Sequence, residues 1–340
     1  MNIILACDDR FVPFCSVVIS STIKYNDNVS FYIFTEGLTD KSICSLQKLV
    51  KGTSNVISVK VVDKEIVKRF PLPKDEGLSH ISVATYFRLF STELLPELDK
   101  AIYLDCDILV RGSLRELWNM DMGENYLAAV YHPNSLSINN GAFNRLEIPI
   151  SQGYFNAGVL LMNLKKWKED GIYQKCMDFI RNKYANIRNH DQDVLNAVCG
   201  KQSLVLSCKW NMQNIFYEVR FWYKTNDPYN KRYQSELRDA KYVISESIIV
   251  HFAAVPKPWE WYSMHPLRKE FLTALKSNNG FRLNYREWSS WKNFWGHLKG
   301  ILMGFGRYHS KCYPKTSVWH WIIPVLNILT ELKKSKMIWD

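Results

Sequence analysis

Ala101-Ile-Tyr-Leu-Asp-Cys-Asp-Ile-Leu-Val110 is apolar on both sides of a central pair of acids, Asp105 and Asp107. Apolar flanks of this kind predict a buried central strand. Residues two apart on a strand point to the same side, so one strand would carry both carboxylates to one edge or end of a sheet. Like charges on one face repel and an unpaired buried carboxylate is costly, so a positive partner is expected between them. A divalent cation is the simplest one. An edge strand with two solvated acids, or an acid pair capping a turn, produces the same local pattern. Ile102, Leu104, Ile108, Leu109 and Val110 favour the central strand.

Upstream, the chain alternates. Ile3 to Cys7 predicts a strand that delivers Asp8 and Asp9 at its C-terminal end, and Phe11 to Tyr25 has helical apolar spacing. Val29 to Thr35 is a second strand. Thr39 or Asp40 caps a helix that stops at Gly52, and Val56 to Val62 is a third strand. This alternation predicts a parallel sheet with crossover helices, whose ligands bind beyond the carboxyl ends of the strands. No GxGxxG or GxxxxGK[ST] occurs, so a bound nucleotide would need a metal rather than a glycine cradle for its phosphates.

Downstream, His80 to Phe90 predicts a helix bearing Arg88 among apolar neighbours, which calls for an acid or a ligand phosphate as partner. A surface arginine is the plain alternative. Ser113 to Trp118 predicts a short capped turn of helix. Tyr154 to Asn163 reads as a strand with a small-residue notch, Asn156-Ala157-Gly158, open to close approach by a ligand. A long helix is expected from Asn163 to about Tyr184, and His190 to Val198 is a polar cluster entering another. Asp191 and Asp193 there serve equally as N-caps. Ser247 to Phe252 is a strand with His251 near its end, followed by a rigid Pro-Lys-Pro loop. That histidine is a candidate ligand, and alone it also fits a structural role.

Together these segments resemble glycosyltransferase family 8, the retaining nucleotide-sugar transferases of the GT-A fold. Within it they resemble bacterial lipooligosaccharide and lipopolysaccharide galactosyl- and glucosyltransferases. The resemblance is carried by Ala6-Cys-Asp-Asp9, His80 to Arg88, Tyr103 to Arg111, Tyr154 to Trp167, Asp191-Gln-Asp193 and His251 to Trp259, in the family's order across residues 1 to 265. It implies an α/β fold, a Rossmann-like mixed sheet flanked by helices, and Mn²⁺ (Mg²⁺ as alternative) ligated by Asp105, Asp107 and His251. It also implies a UDP-sugar donor. Asp8 would meet the uracil, with Asp9 and Cys106 beside the nucleotide. Arg88, Asn156, Ala157, Asp191 and Gln192 would meet the donor sugar, and His80 and Lys257 the diphosphate. Two carboxylates and an imidazole suit Mn²⁺ better than Mg²⁺. Retention requires either an enzyme nucleophile, Asp191 or Gln192, or attack on the face the leaving group vacates. An amide is a poor nucleophile, and front-face attack is the favoured expectation. Two departures from the family pattern stand out: Arg10 after the paired acids, where relatives carry a small polar residue, and Ala253-Ala254 after His251, where relatives often have glycine.

The chain's 340 residues suffice for one large α/β domain and an appendage. Eight cysteines without a CxxC pair suggest reduced, buried thiols. There is no basic leader before the first apolar run and no uninterrupted membrane-length segment, so a cytoplasmic body is expected. Charge is uneven. From Phe281 to Asp340, ten Lys/Arg against three acids leave +7 of the net +11 in the last sixty residues, together with half of the twelve Trp. Trp291, Phe294, Trp295, Leu298, Ile301, Leu302 and Phe305 recur at helical steps, with Lys292, Lys299 and Arg307 off that stripe. Val318 to Leu329 is a shorter apolar run, followed by Lys333, Lys334 and Lys336. Residues 281 to 340 are therefore expected to be a basic, Trp-rich helical appendage lying on an anionic membrane surface, near a lipid-linked or lipopolysaccharide-type glycan acceptor. Two rivals remain: an Asp-X-Asp phosphohydrolase, which usually carries its pair on the first strand, and a non-catalytic membrane or nucleic-acid binder. Neither explains the ordered motifs, and no nucleic-acid partner is expected. Phe216 to Tyr229 is the candidate acceptor wall.

Overall fold

The computed structural model describes residues 1–63, 65, 70, 83–133, 140–223, 227–260, 263–278 and 307–312. His80 and the tail residues Trp291 to Phe305, Val318 to Leu329 and Lys333 to Lys336 lie outside them. Three parallel strands open the chain: β1 (Asn2–Ala6), β2 (Ser30–Thr35) and β3 (Val56–Val61). They are linked by α1 (Val12–Ile23), with a proline in its first turn, and α2 (Asp40–Val50). Thr39 caps α2, its hydroxyl accepting from the Ser42 N–H at 3.3 Å. The alternation in the sequence predicts these elements correctly.

Among the described residues, seven strands form the main sheet in the order β3-β2-β1-β4-β7-β6-β8, where β4 is Lys100–Leu104, β6 Leu127–Ala129, β7 Val159–Asn163 and β8 Ser203–Val205. Period-two alternation sends Ile3 and Leu5 into one core layer and Ile4 into the other. The sheet is mixed rather than all parallel, because β7 runs antiparallel to both β4 and β6.

The central stretch is not one strand. The ladder ends at Leu104, and β5 (Ile108–Val110) belongs to a separate three-stranded sheet in the order β5-β10-β9. There β10 (Ile249–His251) runs antiparallel to β5 and parallel to β9 (Met212–Gln213). The reason is electrostatic: ionised carboxylates cannot sit between two apolar layers, so the chain turns out of the sheet where the acids begin. Asp105 and Asp107 thus converge through a turn, not through strand alternation.

Other elements are shorter than the sequence suggests. Val83–Phe90 is a 3-10 segment, in keeping with its run of β-branched and aromatic residues. Of Tyr154 to Asn163, only Val159–Asn163 is strand. The expected long helix is two, Leu164–Glu169 and α3 (Ile172–Lys183), split at Gly171 with φ of 60°. Beyond them come α4 (His190–Cys199) and α5 (Arg268–Ser277). All eight cysteines are free, and only Cys44 is exposed. Among the described residues, no helix is long and apolar enough to cross a membrane. Within the expected appendage, Arg307 to Cys312 packs on the body, with Tyr308 and Cys312 buried.

Candidate active site

The turn between β4 and β5 meets the end of β10. His251 Nε2 stands 3.2 Å from Asp107 Oδ1 and 3.7 Å from Asp105 Oδ2. Ligands in adjacent positions around an octahedral ion at about 2.1 Å are about 3 Å apart, so this spacing suits a shared cation. Asp107 Oδ1 is buried and has no hydrogen-bond donor, as a ligand atom would. Gly158 lies against the group: a Cβ there would stand 2.2 Å from His251 Cε1 and 2.7 Å from Asp105 Oδ2.

The histidine's tautomer follows from the main chain. The Gly158 N–H donates to Asn156 Oδ1 at 3.0 Å, and a main-chain N–H can only donate. Asn156 Oδ1 therefore takes its second bond from Asn211 Nδ2, at 2.9 Å. That leaves Asn211 Oδ1 as acceptor for His251 Nδ1, also at 2.9 Å. With its proton on Nδ1, His251 presents the Nε2 lone pair to the two carboxylates. Two oxygens and one nitrogen facing one point repel one another unless a cation lies between them.

Lys257 Nζ lies 2.5 Å from Asp107 Oδ2 and donates to the Phe252 carbonyl at 2.8 Å. Burial alone would raise the Asp107 pKa, but the Lys257 ammonium beside it holds it well below the ordinary carboxylate range. Asp105 is set from the other side. Its Oδ1 accepts from Tyr103 OH at 3.0 Å and from Arg88 Nη2 at 2.8 Å. Arg88 is buried, lies over the Tyr103 ring and also donates to the Ala157 carbonyl. Its partners are acids and main chain, so it is not a surface arginine.

Arg88 ties this turn to the start of α4. Its Nε is 2.9 Å from Asp191 Oδ2, yet the single Nε–H donates to the Thr85 carbonyl at 3.0 Å. Asp191 Oδ2 is therefore close in charge but has no hydrogen-bond donor. Thr85 Oγ1 donates to the other oxygen. Burial lifts the Asp191 pKa, Arg88 and Thr85 pull it down, and the carboxyl is left raised, to about 6. Gln192 Oε1 accepts from Asn156 Nδ2 at 3.1 Å and from the Ala157 N–H at 3.0 Å, while its Nε2 donates to Tyr154 OH at 3.2 Å. Asp193 faces inward instead. It takes bonds from Arg145, Tyr154 and the N–H groups of Arg188 and Asn189, which hold its carboxyl below the usual range against the upward pull of burial.

The structure thus brings Arg88, Asp105, Asp107, Asn156, Ala157, Asp191, Gln192, His251 and Lys257 into one network. Asp8 and Asp9, just past the end of β1, bond to other partners. Asp8 is held by Arg10, through Nη2 at 2.8 Å and the Arg10 N–H at 3.0 Å. Asp9 accepts from the Thr39 N–H at 3.1 Å and braces the cap of α2. Cys106 directs its thiol to the Ala6 carbonyl, 3.3 Å away, and clusters with Cys7 and Cys15 rather than with the candidate ligands Asp105, Asp107 and His251. Asn211, fully buried, joins this network although sequence reasoning did not single it out. The available signal was a run of amides, Asn211, Gln213 and Asn214, in an otherwise apolar stretch.

The family model for glycosyl transferase family 8 matches residues 2–262. A putative glycosyltransferase of Haemophilus influenzae is 35% identical over 213 residues, covering 62% of this chain and 63% of that protein, so the match spans under two thirds of that relative. The lipopolysaccharide 1,3-galactosyltransferase of Salmonella typhimurium is 29% identical over 286 residues, 82% of this chain and 78% of that one. The crystal structure of galactosyltransferase LgtC in complex with donor and acceptor sugar analogs is similar with a TM-score of 0.73 at 26% identity. It covers 84% of this chain and 99% of that one.

Proposed function

The chain belongs to glycosyl transferase family 8, with the GT-A fold, and on that footing we propose that it is a retaining hexosyltransferase. It moves galactose or glucose from a UDP-sugar to a glycan acceptor of lipopolysaccharide or a related surface polysaccharide. The observation that carries this reading is the convergence of two carboxylates and the His251 Nε2 lone pair beside Lys257.

Asp105, Asp107 and His251 hold the cation, and the mixed oxygen and nitrogen set favours Mn²⁺ over Mg²⁺. When bound, such an ion supplies positive charge to the diphosphate as UDP departs. Lys257 adds a second positive charge at the same place, and Asp8 with Arg10 forms the nucleotide edge. Asn156, Asp191 and Gln192 orient the hexose, while Arg88 keeps Asp191 and Asp105 at fixed separation. Both polar ends of the Gln192 amide are already bonded within the protein, and Asp191 is enclosed by Arg88 and Thr85. Neither is poised as a nucleophile. This supports attack by the acceptor hydroxyl on the face UDP leaves, with the departing phosphate taking the proton. The composition of residues 281 to 340 supports residence on the inner face of the cytoplasmic membrane, beside a lipid-linked acceptor.

The test is a panel of UDP-sugars assayed for Mn²⁺-dependent hydrolysis without acceptor. One hexose should be hydrolysed, with activity lost in Asp105→Ala, Asp107→Ala and His251→Ala alike. A His251→Ala enzyme with unchanged metal dependence would remove that residue from the site. Hydrolysis of simple phosphomonoesters in place of sugar nucleotides would overturn the reading.

A further inference from the structure

Arg307 to Cys312 lies beyond residue 262, where the family model ends, yet it is built into the body. The Val219 N–H donates to the Arg307 carbonyl at 2.9 Å and the His309 N–H to the Tyr217 carbonyl at 2.7 Å, an antiparallel bridge between Glu218 and Tyr308. Two threads run from this segment to one loop. In the first, Arg307 Nε donates to the buried Glu218 carboxylate at 2.7 Å and Arg307 Nη1 donates to the Val255 carbonyl at 2.7 Å. In the second, Asn214 Nδ2 donates to Tyr308 OH at 3.1 Å while Asn214 Oδ1 accepts from the Ala254 N–H at 3.3 Å.

Both threads end between His251 and Lys257. At the middle of that loop Val255 is 56% exposed. We propose that Arg307 and Tyr308 are positioning residues that hold the 254–257 loop so that the Lys257 ammonium stays on Asp107. A segment outside the family region thereby completes the donor site. The inference rests on the reading of Lys257 as a diphosphate contact. Arg307 suits the task because one planar guanidinium bonds a carboxylate and a carbonyl at once, which a lysine ammonium does with less direction.

The experiment uses the full chain and measures kcat and KM for the UDP-sugar in Lys257→Ala, Arg307→Ala, Arg307→Lys, Tyr308→Phe and the Lys257→Ala/Arg307→Ala double variant. Lys257→Ala should lower donor kcat/KM by about tenfold or more, and Arg307→Ala by a comparable factor, with Arg307→Lys intermediate. The double variant should be no worse than Lys257→Ala alone, because Arg307 acts through Lys257. Unimpaired Lys257→Ala would sink the reading of Lys257 itself. Impaired Lys257→Ala with normal Arg307→Ala would overturn the inference alone, as would losses that multiply in the double variant. Should Arg307→Ala fail to fold, Tyr308→Phe removes one hydroxyl and serves the same cycle. Its donor kcat/KM should fall severalfold and not fall further on the Lys257→Ala background.

Discussion

Asn211 does its work without touching a ligand. Its amide nitrogen donates to Asn156, which sets its orientation, and its carbonyl then fixes the proton of His251 on Nδ1. Replacing it with leucine keeps the volume and removes both bonds. Asn211→Leu should weaken Mn²⁺ binding about 10- to 100-fold, read by titrating Mn²⁺ against UDP binding. Unchanged Mn²⁺ affinity would mean that the ring is held by packing alone. Asp191 offers a different test at the same scale. Burial raises its pKa in the folded protein to about 6, from an ordinary aspartate value of 3.8. Between those values the native state therefore binds more protons than the unfolded state, and stability falls as pH rises across that window. The loss is complete above the folded value and amounts to about 3 kcal/mol. Asp191→Asn does not titrate there. Unfolding free energies of the two proteins, compared from about pH 4 to pH 7, should move in favour of the variant up to about pH 6 and then run level. A constant difference would show that Arg88 fully compensates the burial.

At the scale of elements, the site depends on where strands stop. Tyr154 to Gly158 leaves the sheet, and its notch brings the Gly158 main chain against His251 and Asp105. No side chain fits there. Gly158→Ala should abolish Mn²⁺-dependent UDP binding and lower stability by about 1–3 kcal/mol, as overpacking does, while far-ultraviolet circular dichroism stays the same. Wild-type UDP affinity in that variant would show that the triad has room to shift. The sequence marked the notch as a place for close approach, but not that the approaching group is the protein's own histidine. Similarly, the acids of the central stretch were legible as a pair. Only the split into β4 and β5 shows that a turn brings them together.

At the scale of the molecule, the described segment Arg307 to Cys312 packs on the body. A chain ending at Cys312 keeps Tyr308, Cys312 and the Lys311–Asp239 pair. It should keep hydrolysis of the sugar nucleotide. It loses Lys333, Lys334 and Lys336, each worth about 1 kcal/mol at an anionic surface, so partition onto anionic vesicles should weaken by about a hundredfold. Undiminished vesicle binding would place the membrane contact elsewhere. A chain ending at residue 306 should melt lower, because it leaves the cores around Tyr217 and His265 without their cover.

Sequence alone determined the order of the first strands and helices, because hydrophobic period and capping residues are properties of neighbours along the chain. The ordered motifs carried the family and the candidate ligands in the same way. Tertiary structure decided which of those residues meet. The pairing of β5 with β10 and β9 sets His251 beside Asp107, and the burial of Arg88 couples Asp105 to Asp191. The same packing turned Asp193 inward, tied Asp9 to the cap of α2 and drew Asn211 into the site. Each of these contacts joins residues far apart in the chain, and a local pattern contains no record of the hydrogen bonds that fix a side chain's direction.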